Sequence, residues 1–519
     1  MQNSRNKEDN PRGSGPPATL GLLSLPEELI ELVCEQLSSD RDSKSLASLC
    51  RASRDLNRIA TYALYSRFAS NGDLRRLALF LRTLCERPEL GASVRSLSLA
   101  VDSWFDCPPE YIGFVTETAE RFGFDVGLPT VYNYNDRALV RGLEEGEYGD
   151  SEGEDQAQSD DRRKSELENG YDRNDEEIES EEDIGQSQLD LYPFETIAQL
   201  TIALTPNIQS LDVVAKQIMC DTGEGAFTML EELAQQSPPP ISLLRLHHFS
   251  FGHEDCREVS FKYFEGVIAL APNIRTIHAH PCFDQPRYAP KAPVNIKNVT
   301  DLRFKSGHLS ARGLRAIVSS CNRLEIFQYC YDTIYAGLDP GCATPREIAE
   351  ILSQHKDSLK YMDIDLGSRE EHQGGLFFGF CIAGEEIESL KEFSCLETFK
   401  IDGSSILFPE AGSDKCHTNI LLDMLPQSIR ILHLKDTQIE AAANLITLTE
   451  SLDSFPNLCE VFLAGNGIGG PLGKFEVAFE DSEIQILRER FKSRGISFLK
   501  PGQWRNAFIS DDVEPTEDW

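Results

Sequence analysis

The chain has 519 residues, 40% of them hydrophobic and 26% charged, with a formal net charge of −35. Its length allows more than one domain, and its composition is that of a folded protein. The charge argues against general nucleic-acid binding, which needs a basic footprint, and against docking on anionic membranes. The 14 cysteines form no C-x-x-C pair. Several, such as Cys34, Cys50, Cys321 and Cys459, sit in apolar patterns, as buried reduced thiols of an intracellular protein would. No apolar run reaches the roughly 18 residues a membrane span needs.

Residues 1–20 offer little to bury and are expected to be disordered. The polar stretch 1–17 has no apolar core and is not read as a secretory signal. Residues 25–65 then predict three short helices. Pro26 suits a helical first turn, and Glu27 and Glu28 suit its N-terminus. Leu29, Leu32, Val33 and Leu37 recur at helical spacing and predict one apolar face. Leu46, Leu49 and Cys50 give a second face, and Leu56, Ile59, Ala60, Ala63 and Leu64 a third. So small a unit buries too little by itself and is expected to pack against something else.

This stretch resembles the F-box. The matching residues are Leu25-Pro26, Glu28-Leu29, Leu32-Val33, Leu37, Leu46, Leu49-Cys50-Arg51, Ser53-Arg54, Leu56 and Ala60. The resemblance, assigned to residues 21–68, implies docking on a Skp-type adaptor and so membership of a cullin–RING ubiquitin ligase. The adaptor-binding residues it implies are Leu25, Pro26, Leu29, Leu32, Val33, Leu37, Leu46 and Leu49. One departure is the long, charged link from Ser38 to Ser43. The alternative is an ordinary helical cap on a repeat array.

Residues 69–93 read as a helical linker, with a helix through Leu74, Leu77, Ala78, Leu81 and Leu84 that stops before Pro88. Beyond it a phrase recurs: apolar, two variable residues, apolar, any residue, apolar. Its copies start at Val94, Ile208, Ile241, Ile274, Val299, Leu324, Leu359, Leu396, Ile429 and Leu458. Pro-Asn precedes three of them, at Pro206-Asn207, Pro272-Asn273 and Pro456-Asn457. From the second copy onward the spacing is that of a repeat array. Amphipathic helices lie between copies, the clearest opening with a capping box at Thr344-Pro345-Arg346-Glu347; others cover 314–318, 441–452 and 484–491. Residues 94–500 thus resemble a degenerate leucine-rich-repeat solenoid, one strand and one helix per repeat, Asn466 being the clear match to the family's asparagine. The expected fold is α/β: a three-helix F-box, then this solenoid. An unrelated α/β domain with similar strands is the alternative.

The array is interrupted at 144–190, where 20 acids meet 4 bases, a local charge of about −16. Such a stretch is expected to be a disordered insertion, and residues 501–519 an acidic tail.

No nucleotide-loop, zinc-protease or nucleophile-elbow motif is present. The glycines at 465–470 follow a repeat strand and read as a turn. No catalytic residue, cofactor or metal is expected. His247, His248, His253, His278, His280 and His308 cluster near Cys282, but the repeat register reads them as a surface ladder rather than a metal site. The residues between and after the apolar positions should line the concave face. There Arg245, His247, His278, His280, Arg303 and Lys305 form an expected basic patch for an acidic or phosphorylated protein segment, for which the acidic insertion would compete. The overall expectation is a non-catalytic substrate-recognition subunit of a Skp–cullin–F-box ubiquitin ligase, in cytoplasm or nucleus. The alternatives are an F-box scaffold without a degradation role and an acidic repeat module that binds proteins.

Overall fold

A computed structural model of the chain describes residues 22–39, 42–101, 109–123, 193–215, 227–253, 261–280, 282–283, 295–331, 342–366, 385–402, 405–406, 419–435, 440–464 and 481–499. The stretches 1–20, 144–190, 465–470 and 501–519, expected to be disordered, a turn or a tail, lie outside the described residues. Two compact units divide the chain, Met1–Cys107 with Phe194–Trp519, and Pro108–Pro193.

The first unit opens with three helices: α1 (Glu27–Ser39), α2 (Ser43–Ala52) and α3 (Arg54–Tyr65). Side-chain oxygens cap the second and third. Asp42 Oδ1 accepts from Ser45 N–H at 3.0 Å, and Ser53 Oγ from Leu56 N–H at 3.1 Å. Such caps contribute about 1 kcal/mol each. The charged link therefore ends in a cap, which gives Asp42 a structural reason. Ile30, Cys34, Leu46, Leu56, Ile59 and Ala60 make the small shared core.

The array starts sooner than the sequence suggests. Strand β1 (Arg67–Ala69) follows α3 directly and pairs in parallel with β2 (Ser96–Val101). Between them lie α4 (Leu74–Glu86) and the short α5 (Pro88–Gly91). Residues 69–93 are therefore no linker: they hold the helices of the first strand-to-strand crossover. Phe68 stacks on Phe80 of α4 with ring centroids 3.8 Å apart, which fixes strand to helix.

The second unit's described part is α6 (Pro109–Arg121), with an Arg121–Glu117 pair one turn apart at 2.6 Å.

The first unit resumes with α7 (Pro193–Ala203), β3 (Ser210–Ala215), α8 (Thr228–Gln235), β4 (His248–His253), α9 (Glu265–Leu270), β5 (Thr276–His280) and β6 (Cys282–Phe283). There follow β7 (Asp301–Phe304), β8 (Gly307–His308), α10 (Ala311–Ser319), β9 (Ile326–Cys330), α11 (Pro345–Leu352), β10 (Tyr361–Asp365) and β11 (Thr398–Asp402). The last elements are α12 (Ile420–Met424), β12 (Ile431–Lys435), α13 (Glu440–Glu450), β13 (Glu460–Ala464), α14 (Asp481–Ser493) and β14 (Ser497–Leu499). Twelve strands form one open sheet, and its order follows the chain, skipping only β6 and β8, which pair with each other. Every pairing within it is parallel. Right-handed crossovers in a sheet of monotonic order put every connection on one face. Alternate strand residues accordingly face a core: Leu97 and Leu99, Leu211 and Val213, Phe249 and Phe251, and so on to Val461 and Leu463, all essentially without exposed surface. Burying each large side chain stabilises by about 1.5–3 kcal/mol.

The capping box on α11 forms as the sequence predicts: Glu347 N–H donates to Thr344 Oγ1 at 3.3 Å and Thr344 N–H to Glu347 Oε2 at 3.0 Å. The Pro-Asn lead-ins acquire a reason. The Asn207 and Asn273 amides donate to Ala92 O and Leu244 O, both at 2.9 Å, and Asn457 donates to Gln427 O at 3.4 Å, so each of these repeats is tied to the one before; Asn298, which has no proline ahead of it, does the same to Pro272 O at 2.8 Å. Ser358 and Ser428 hydroxyls do the same to Leu324 O and Leu396 O.

Candidate functional site

Helix α1 carries apolar residues on two sides, and the two have different fates. Ile30 and Cys34, one turn apart, face the helical core, while Leu29, Leu32 and Val33 are 46%, 58% and 39% exposed. Leu25, just before the helix, is 39% exposed, and Pro26 is exposed too. The apolar face expected from Leu29, Leu32, Val33 and Leu37 is thus split. Leu37 and Leu49 are half-buried against the core, and Leu46 is a core residue with no surface to offer a partner. Of the eight exposed large hydrophobic residues described in the chain, four lie between Leu25 and Val33, which makes this an apolar patch rather than scattered exposure. Glu27, on the same helix, is held below the usual carboxylate range by the Arg58 guanidinium, whose Nη2 lies 2.6 Å away.

The sheet offers a second surface, the face opposite the crossovers. Strand register fixes its middle row as Ser98, Asp212, Ser250, His278, Arg303, Gln328, Asp363, Lys400, His433 and Phe462. Nine of the ten concave-face pairs expected from the sequence fall in this register; the pair at β4 does not. Leu246 opens the phrase there instead of closing it, with Phe249 and Phe251 as its buried partners, whereas Leu244 is 56% exposed. Arg245 and His247 therefore lie before the strand, at the sheet's edge, and Ser250 and Gly252 take their place on the face. Gly252 is required, because a Cβ there would overlap the His280 carbonyl.

The expected basic patch is correspondingly reduced. Arg303 makes a two-pronged contact to Asp301 on its own strand, both distances 2.9 Å. His278 stays neutral: burial first, and then its neighbours His248, Arg303 and Lys305, drive it down to about 3. His280 is exposed and its Nε2 lies 3.3 Å from Ser306 Oγ; Lys305 is exposed. His248 Nε2 lies 3.7 Å from Asp212 Oδ1. Among the described residues no group of three or more His, Cys, Asp or Glu could hold a metal.

The second half of the face carries a network that sequence spacing does not reveal. Lys435 Nζ reaches across from β12 to Asp363 Oδ1 (2.7 Å) and Asp365 Oδ2 (3.2 Å) on β10. Tyr361 Oη and Gln328 Nε2 both donate to Asp363 Oδ2 at 3.3 Å. Burial pushes the Lys435 ammonium down, but the two carboxylates outweigh it and hold it above the ordinary lysine range. Burial drives the Cys330 thiol up to about 12 and pulls Lys400 below its ordinary value. His433, buried beside Lys400 and Lys435, is driven down to about 3.

At the edge where the strands begin, one backbone pattern recurs. Two consecutive N–H groups of each strand donate to one carbonyl of the previous repeat. It starts with Arg95 and Ser96 on Ser66 O (2.7 and 3.1 Å) and runs through Cys459 and Glu460 on Arg430 O (2.9 and 3.1 Å). Ser66 Oγ also meets Ser38 Oγ at 2.8 Å, which ties the end of α1 to the first repeat.

Compared with known proteins, the chain matches no family model and no curated protein.

Proposed function

We propose that the protein is a non-catalytic receptor subunit of a Skp–cullin–F-box ubiquitin ligase. In this reading α1–α3 are an F-box that docks on a Skp-type adaptor through Leu25, Pro26, Leu29, Leu32 and Val33. The strand array is a degenerate leucine-rich-repeat solenoid that carries the bound protein inside the cell. The observation that carries the reading is the split of α1: Ile30 and Cys34 satisfy the helical core, and Leu25, Leu29, Leu32 and Val33 keep 39–58% of their surface uncovered among the described residues. Exposed apolar anchors grouped on one helix are the kind of surface that dominates a protein interface. The test is co-purification with a Skp-type adaptor. Leu29→Ala with Leu32→Ala should leave thermal unfolding unchanged, because both side chains are exposed, and should cost at least about 2 kcal/mol of adaptor binding. Undiminished binding by that variant removes the reading.

A further inference from the structure

The residue that opens each strand differs along the sheet in a way that points to a binding edge. In the second half its side chains alternate in sign and pair with one another, Glu325 with Lys360 at 2.7 Å and Glu397 with Arg430 at 3.1 Å. From β3 to β7 the same position reads Gln209, His247, Arg275 and Thr300, with no acid among them. The residues just before it bring Arg245 and Lys297 to the same edge. Backbone bonds set the strand starts side by side, Arg275 N–H donating to His247 O and Thr300 N–H to Arg275 O, both at 2.8 Å, while Asn322 N–H on Lys297 O at 3.1 Å fixes the turn that carries Lys297. Neighbouring strands lie about 4.8 Å apart, so the turns that enter β4, β5 and β7 and carry Arg245, Arg275 and Lys297 span roughly 10 Å. All three are exposed, and no carboxylate among the described residues comes within ion-pair distance of them. Leu244, next to Arg245 and fixed there by the Asn273 amide on its carbonyl (2.9 Å), exposes more than half of its surface.

We propose that this edge docks an acidic segment of a protein partner, a run of Asp and Glu side chains flanked by an apolar residue that meets Leu244. The inference rests on the reading that the array carries a bound protein, and it moves the contact from the face to the edge. A short peptide suits the site better than a long polyanion. The chain carries a net charge of −35, so its overall field repels anions, and attraction at the edge acts only within a Debye length of about 10 Å. That reach covers these three strands and little more. An extended peptide places same-side residues about 6.6–6.8 Å apart, so two or three carboxylates fit the span of the three cations. One cation per strand, rather than two converging on a point, favours a row of single carboxylates over one phosphate group.

The test uses the full chain and a labelled oligoglutamate peptide ending in leucine, with binding read by fluorescence anisotropy. Arg245→Ala, Arg275→Ala and Lys297→Ala together should weaken binding about tenfold or more, as three exposed ion pairs of up to about 1 kcal/mol each allow. A control that removes the same charge elsewhere, Arg312→Ala, Arg315→Ala and Lys492→Ala, should keep binding within about twofold. Absence of saturable binding by the unaltered chain, equal losses in the two variants, or preference for a phosphoserine peptide each overturns the proposal. Adaptor co-purification is scored on the same proteins. Lost adaptor binding by the leucine variant and lost peptide binding by the edge variant are separate readouts, so either idea can fail alone.

Discussion

The two halves of the sheet solve the same problem with different side chains. Both have buried alternate residues, parallel neighbours and the same shared carbonyl at each strand start. From β9 onward the charged positions answer one another. Lys435 bridges Asp363 and Asp365, Glu325 meets Lys360, and Glu397 meets Arg430. From β2 to β5 the face carries mostly small or neutral side chains instead, Ser98, Ser250, Gly252 and a neutral His278, with Asp212 the acid among them, and the edge carries cations with no acid within ion-pair distance among the described residues. A half whose charges are mutually satisfied is built for its own stability. An edge whose Arg245, Arg275 and Lys297 meet no carboxylate among the described residues keeps those cations available to a partner.

The largest expected effect breaks that contrast if it fails. Lys435→Met leaves two carboxylates, each almost wholly buried, without their cation. Removing one member of a buried charge cluster costs about 3–5 kcal/mol. Arg275→Ala, at the edge of the first half, should change stability by no more than about 0.5 kcal/mol. Urea unfolding of both variants by circular dichroism decides it. Equal midpoints would mean that the second half's network is as dispensable as the first half's edge.

A second, somewhat smaller effect separates the halves by pH. Glu195, in α7 of the first half, is buried, and burial pushes its carboxyl up to about 8. Its place in the first turn of a helix favours the charged form, but loss of solvent outweighs that. With the folded value above the unfolded one, stability is complete below about pH 4.5 and is lost as pH rises toward 8. At pH 7 the deficit is on the order of 3 kcal/mol. Glu195→Gln should therefore raise the melting temperature at pH 7 and leave it little changed at pH 4. His433, in the second half, behaves oppositely. Its folded value of about 3 lies below the unfolded one, so its contribution is present above about pH 6.5 and is lost as pH falls through that window. His278 adds the same acid-side loss in the first half, so alkaline sensitivity is what distinguishes that half.

How much of this the sequence displays depends on the distance between interacting residues. Alternation and spacing reveal the strands, the capping box at Thr344 and Glu347, and most of the face register, because each is a local pattern. At 241–251 two overlapping phrases satisfy the same template, and only burial of Phe249 and Phe251 against exposure of Leu244 selects between them. In α1, Leu29, Ile30, Leu32, Val33 and Cys34 crowd both sides of the helix, so periodicity finds an apolar helix without saying which side turns inward. The Lys435 network joins residues 70 and 72 positions apart, and the Asn207 contact to Ala92 spans 115. No local pattern encodes such pairs. The acids and bases at the strand starts are legible singly, but their pairing appears only once the strands are in register.

The smallest effect sharpens the comparison at that edge. Glu325 and Lys360 sit on adjacent strands at the shared-carbonyl position, with Nζ and Oε2 2.7 Å apart, and Arg323 Nη2 lies 3.1 Å from the same carboxylate's Oε1. Lys360 hydrogen-bonding is the largest cause holding Glu325 below the usual carboxylate range. Both partners retain solvent, so a double-mutant cycle through Glu325→Ala and Lys360→Ala should give a coupling of only about 0.2–1 kcal/mol, falling at high salt. A second cycle through Arg275→Ala and Thr300→Ala, at the equivalent positions of β5 and β7, should give a coupling near zero, since no ion pair joins them. A coupling at Arg275 as large as that at Lys360 would mean that the first half's edge is engaged within the chain, and would leave no free cations for a partner.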